Sequence, residues 1–110
     1  MTRRRVTDDE VEKALHWLVE NAKAIGKAKE KAVLAEKMVG HIEAVEMKKA
    51  GGAVAAQKRD ARASLAYRQA LFEEAQAAGE YEVLKSLREA AAAKIDAWRT
   101  ESATHRSMKL

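Results

Sequence analysis

No proline occurs anywhere in the 110 residues of this chain, and that absence constrains its folding more than any other single feature. Proline alone both removes a backbone donor and clashes with the preceding helical turn, so a chain without it has no obligatory helix breaker. Alanine, the residue with the highest helix propensity, supplies 24 positions and pushes the same way. The expected class is therefore all-α. The chain is expected to be an elongated helical hairpin or an uneven three-helix arrangement, with coiled-coil-like packing and an oligomeric state.

The apolar content points to that oligomeric state. Hydrophobic residues make up 47% of the chain, but alanine accounts for a large part of them and buries little apolar area per residue. A single small domain of this length buries a modest share of its surface. Thin helices lined with methyl groups gain most from a neighbouring chain. A homo-oligomer, with a dimer favoured, is the expectation, together with a protein partner whose identity the residues do not name.

Charge narrows the classes further. The net charge of +4 is mild, and acidic and basic residues are interspersed over 35% of the chain. Such mixing reads first as solvated helix surface. With no cysteine there is no disulfide framework, thiolate metal site or cysteine nucleophile. No apolar run reaches the roughly 18–20 residues of a membrane span. The basic start, Met1 to Arg5, has no apolar segment behind it and is not a signal peptide. A cytoplasmic setting, in a bacterial or phage-infected cell, is expected, with no membrane association.

Along the chain, residues 1–6 read as a disordered basic arm. Thr7, Asp8, Asp9 and Glu10 then match a capping box, with acidic side chains where the helix dipole is positive. An apolar repeat follows through Val11, Ala14, Leu18, Asn21, Ile25, Ala28, Ala32, Ala35, Val39 and Ile42, in alternating steps of three and four that define a heptad seam. Gly26 lies off this seam and is the expected place for a kink. Lys48 and Lys49 followed by Gly51 and Gly52 form a helix stop. A helix over about 7–50 would be roughly 65 Å long.

A second helix is expected over about 54–78, with Val54, Ala61, Leu65, Leu71, Phe72, Ala75 and Ala78 on its apolar positions. A turn or kink is expected at Gly79, although one continuous helix over 54–104 also fits. A third pattern over about 80–104 runs through Leu84, Leu87, Ala91, Ile95, Trp98 and Ser102. Residues 7–106 thus form one helical domain, with 107–110 as a tail. The expected core or interface residues are Val11, Leu18, Ile25, Val39, Ile42, Leu65, Phe72, Leu84, Leu87, Ile95 and Trp98.

Candidate chemistry is sparse. Glu12, His16 and Glu20 share a helical face, but the Glu-x-x-His motif of di-metal bundles is missing. His41 reads as a boundary residue, and His105 follows Glu101 by four. The serines lack the strand–turn–helix context of an activated nucleophile, and Gly51-Gly52 is not followed by a phosphate-loop signature. No catalytic residue, metal site or cofactor is expected, and the chain does not read as an enzyme. Nucleic acid is the better-motivated ligand: Arg3, Arg4 and Arg5 in the arm, and Lys48, Lys49, Lys58, Arg59 and Arg62 around the glycine turn, could neutralise phosphates. Aromatic residues are not interleaved with these groups, so no stacking platform accompanies them.

The run from Ala92 to Glu101, Ala-Ala-Lys-Ile-Asp-Ala-Trp-Arg-Thr-Glu, followed by Arg106, resembles the C-terminal helix of small all-helical phage and prophage proteins. The resemblance covers about the last 30 residues. It implies a phage-associated origin and carries no activity. The leading functional expectation is a non-catalytic, self-associating helical scaffold that presents a docking surface. The alternative is an accessory protein that binds nucleic acid.

Overall fold

The computed structural model describes residues 5–108, and the described chain is all-α. Three helices follow one another: α1 from Asp8 to Ala50, α2 from Val54 to Arg62 and α3 from Leu65 to Met108. Two compact parts are distinguished. One combines the chain up to Ile25 with the chain from Val83 onward, and the other comprises Gly26–Glu82. In each part α1 and α3 run antiparallel. In the first, Asp8 meets Trp98; in the second, Lys31 meets Glu80 and Glu43 meets Arg62.

The start of α1 follows its capping signal. The Glu10 amide donates to Thr7 Oγ1 at 3.1 Å, and the Val11 amide reaches the Thr7 carbonyl at 3.1 Å. The Thr7 hydroxyl thereby satisfies one orphan donor of the first turn, and its carbonyl accepts the first bond of the helical ladder. Its end is equally direct: Gly51 and Gly52 adopt φ of 68° and 85°, a left-handed backbone that side chains rarely tolerate. The Gln57 side chain then donates to the Gly52 carbonyl at 2.7 Å, fastening the turn to α2.

The expected helix boundaries after residue 54 are corrected. The break lies at Ala63-Ser64, and the helix continues through Gly79. Ser64 is the cause of the break. Its hydroxyl donates to the Ala61 carbonyl at 2.6 Å and accepts the Tyr67 amide at 3.2 Å, so one side chain closes α2 and caps α3. Gly79 has an intrinsic cost but no competing partner to stabilise a turn, and helical residues on both sides carry the helix across it. Gly26 likewise lies within the continuous α1. The third expected helix thus extends past 104 to Met108, and the expected tail begins inside it.

The positions of the α1 repeat are all at least half-buried. Val11, Ala14 and Ile25 are buried, and Leu18, Asn21, Ala28, Ala32, Ala35, Val39 and Ile42 are half-buried. Asn21 occupies this apolar row because its amide donates back to the Trp17 carbonyl at 2.9 Å. On α3 the seam passes through Tyr67, Ala70, Glu74, Ala77, Tyr81, Leu84, Ala91, Ile95, Trp98 and Ser102. The expected apolar row of residues 54–78 lies elsewhere: apart from the buried Ala61, its members Val54, Leu65, Leu71, Phe72, Ala75 and Ala78 are exposed. Leu87 is exposed as well. The most buried positions of α3 are the small Ala70, Ala77 and Ala91, with Tyr67, Tyr81, Leu84, Ile95 and Trp98 half-buried between and beside them.

Two substitutions separate these determinants. A Cβ placed on Gly79 meets nothing within 4 Å, so Gly79→Ala should stabilise the chain by about 1 kcal/mol, read as a raised midpoint in chemical denaturation. Ser64→Ala should cost about 0.5–2 kcal/mol in the same measurement, because α2 and α3 lose their shared cap.

Candidate functional site

The most distinctive surface is apolar. Every fully buried hydrophobic residue is an alanine except Val11 and Ile25, and none of the larger side chains is completely enclosed. Val19, Leu34, Val54, Leu65, Phe72 and Val83 are each 60% or more exposed. Scattered exposed apolar residues are ordinary on a soluble protein. Here several of the largest exposures are leucine, valine and phenylalanine, while five of the seven buried hydrophobic residues among the described ones are alanines.

Part of this surface is concave. Within Gly26–Glu82, a groove of about 640 Å³ runs between α1 and α3. Leu34, Ala35, Met38 and Ile42 form one wall, and Ala66, Ala70 and Ala77 form the other with Gln69, Glu73 and Gln76. Lys31 stands on its rim and is tied to Glu80 at 3.2 Å. The groove exists because alanines on α3 face leucine and methionine on α1, leaving a trough that neither helix fills. A second cleft in the same part is smaller and charged, lined by Lys29, Glu36, Glu74 and Glu82 beside Ala32, Val33, Ala78 and Tyr81. Lys29 Nζ sits 5.0 Å from the centre of the Tyr81 ring, a cation–π contact that holds the cationic stem against the aromatic face.

A polar clasp marks the end of the other part. The Trp98 indole donates to Asp8 Oδ1 at 2.6 Å, and the Val6 amide donates to Glu101 Oε2 at 3.1 Å. Around them Arg5, His105 and Arg106 border a hollow of about 410 Å³. Asp8 also stands at the positive end of the α1 dipole, so its carboxylate serves the helix and the indole together. Thr100 and Thr104 donate back to the carbonyls four residues earlier, at Asp96 and Thr100. Arg99 and Arg106 are exposed on the same terminal turns.

The basic residues around the glycine turn are only partly available. Lys49 pairs with Glu46 at 3.3 Å, Arg62 with Glu43 at 3.3 Å and Arg59 with Asp60 at 3.7 Å. Lys48 and Lys58 are exposed without an ion pair among the described residues. Arg5 borders the hollow at the clasp, well away in sequence from this group, and Arg3 and Arg4 lie outside the described residues. Of the five expected phosphate contacts around the glycine turn, Lys48 and Lys58 are thus left without a carboxylate partner among the described residues.

His16 Nε2 lies 3.0 Å from Glu20 on the exposed face of α1, and Glu12 is exposed on the same face. Among the described residues no three histidine, aspartate or glutamate side chains converge in a metal-holding arrangement, and no helix is long and apolar enough to cross a membrane. His41 is exposed.

Of the expected core or interface residues, Val11 and Ile25 are buried, while Leu18, Val39, Ile42, Leu84, Ile95 and Trp98 are half-buried along the seam. Leu65, Phe72 and Leu87 lie on the outward surface instead. The residues missed are Tyr67, Ala70, Ala77 and Tyr81. Their signal was present: the spacing of three and four that joins Leu84 to Ser102 continues backward through Gly79 to Tyr67. Compared with known protein families, with curated proteins and with solved structures, the chain gives no match.

The clasp has a direct optical test. In a Trp17→Phe background Trp98 is the sole indole. Adding Asp8→Ala should alter its emission wavelength and lower stability by about 1 kcal/mol, measured by fluorescence-monitored denaturation.

Proposed function

We propose that this chain is a non-catalytic helical module that self-associates, and that its outward apolar faces form the contact with further chains. The observation that carries this reading is the exposure of large apolar side chains: Leu65 and Phe72 are 77% and 65% exposed, and Val19, Leu34, Val54 and Val83 are each 60% or more exposed. Burying a leucine or phenylalanine contributes roughly 1.5–3 kcal/mol relative to leaving it in water. A lone copy forgoes most of that gain at these side chains. A second chain packed over the same faces recovers it without altering the alanine seams.

The assembly serves as a scaffold because its chemistry is structural throughout. The polar contacts cap helices, as at Thr7 and Ser64, or pair one helix with another, as Lys31 with Glu80 between α1 and α3 and Arg62 with Glu43 between α2 and α1. The proposed setting, a phage or prophage role in a bacterial cytoplasm, rests on the resemblance of residues 92–106 alone. The nucleic-acid reading is the weaker of the two, since three of its turn-proximal cations are already paired with carboxylates.

Mass and stability should depend on concentration together. Light scattering or sedimentation should report at least twice the chain mass at micromolar concentration, and the thermal midpoint should rise as protein is added. A single copy that stays folded and equally stable at high dilution overturns the proposal.

A further inference from the structure

The part that combines the chain up to Ile25 with the chain from Val83 onward has two sides of different chemistry. On one side, residues that precede seam positions of α1 and α3 meet: Glu10, Lys13 and Trp17 line a cleft with Ala90 and Lys94. In an antiparallel pair of right-handed helices, residues just before the seam share one side and residues just after it share the other. The other side is therefore built by Leu15, Val19 and Ala22, which follow Ala14, Leu18 and Asn21, and by Lys85, Ala92 and Arg99, which follow Leu84, Ala91 and Trp98. Arg88, three past Lys85 and four before Ala92, belongs to the same α3 row.

The two helices contribute opposite properties to this side. The α1 row is apolar and open to water, with Leu15 48% and Val19 80% exposed. The α3 row is cationic. Arg88 and Arg99 are exposed, Lys85 is half-buried, and none of the three is in an ion pair among the described residues. Equal steps along both helices from the contact of Asp8 with Trp98 bring Val19 level with Arg88, and Ala22 level with Lys85, to within one residue. Acidic side chains stand only at the borders: Asp8 accepts the Trp98 indole at one end, and Glu12, Glu89 and Asp96 lie farther round the two helices.

Such a pair of rows selects its occupant. A phosphate backbone answers the cations but leaves Leu15 and Val19 in water. A lipid surface is entered through large and aromatic groups, and this side carries no apolar side chain larger than leucine. A helix with apolar residues along one edge and carboxylates along the other satisfies both rows together, since arginine takes a carboxylate through two parallel hydrogen bonds. We propose that this side holds an acidic amphipathic helix of a partner protein, its apolar edge over Leu15, Val19 and Ala22 and its carboxylates on Lys85, Arg88 and Arg99. The proposal does not depend on self-association, whose Leu65 and Phe72 lie in the Gly26–Glu82 part.

A labelled helical peptide with leucine along one edge and glutamate along the other, titrated with the full-length protein and followed by anisotropy, tests it. The peptide should bind saturably and weaken as salt is added, and replacing its glutamates with glutamine should weaken it by about tenfold or more. Arg88→Glu combined with Arg99→Glu should weaken binding by about tenfold or more, and Val19→Ser by about threefold or more. Helical circular dichroism should not change, because these side chains are exposed. Lys94→Glu, on the opposite side, should leave binding within about threefold. Absence of binding at low salt overturns the proposal, as does binding that the two arginine reversals leave intact. An equal loss with Lys94→Glu marks general charge attraction and overturns the site. A DNA duplex or phosphatidylglycerol vesicles held through Arg88 and Arg99 more tightly than the peptide overturn the choice of partner. A monomeric protein that binds the peptide overturns self-association alone.

Discussion

Everything in this chain depends on how closely α1 and α3 approach across a seam lined by alanine. A methyl group at the contact lets two backbones come near and leaves little room for anything larger. The seam positions Ala14, Ala28, Ala32 and Ala35 on α1, and Ala70, Ala77 and Ala91 on α3, are consequences of that spacing. Close approach brings the polar cross-links of α1 and α3 within reach, Lys31 to Glu80 and Trp98 to Asp8, while Arg62 at the end of α2 reaches Glu43 of α1. Exposed ion pairs contribute little net stability, typically below about 1 kcal/mol. Their role is to fix which residues stand opposite one another, since the methyl-lined seam has few features that distinguish one register from the next.

The same constraint explains the surface. Where the seam takes alanine, at Ala70 and Ala77, the neighbouring Leu71 and Phe72 lie on the outer face. The exposed apolar row of α3 and the groove beside it are thus the complement of the seam rather than a separate feature.

Much of the fold was legible in the sequence, for local reasons. The helix start at Thr7 and the stop at Gly51-Gly52 are written in residues that act on their immediate neighbours. The α1 seam was legible because Val11, Leu18, Ile25, Val39 and Ile42 punctuate it with large apolar groups. The first half of α3 was not, because its buried row is built from Tyr67, Ala70, Glu74 and Ala77, while Leu65, Leu71 and Phe72 advertise a different face. A reading that follows the largest hydrophobic residues finds the outward face. The break at Ser64 was missed for a related reason: a serine among alanines signals weakly, and its effect comes from two hydrogen bonds made by one hydroxyl. Gly79 gave the opposite error, since glycine lowers helix propensity without ending a helix by itself. The basic residues near the turn were legible as a group, but their carboxylate partners could not be paired with them from spacing alone when the two lie on different helices, as with Arg62 and Glu43.

The clasp bears on the order in which the chain comes together. Trp98 and Asp8 are 90 positions apart and Glu101 and Val6 are 95 apart, whereas Arg62 and Glu43 are separated by only 19. The entropy lost in closing a loop grows with the logarithm of its length. Contacts beside the glycine turn are therefore the least costly to nucleate, and each one formed shortens the span left for the next. Trp98 with Asp8 and Glu101 with Val6 close the longest loops of these contacts and carry the largest entropic cost among them.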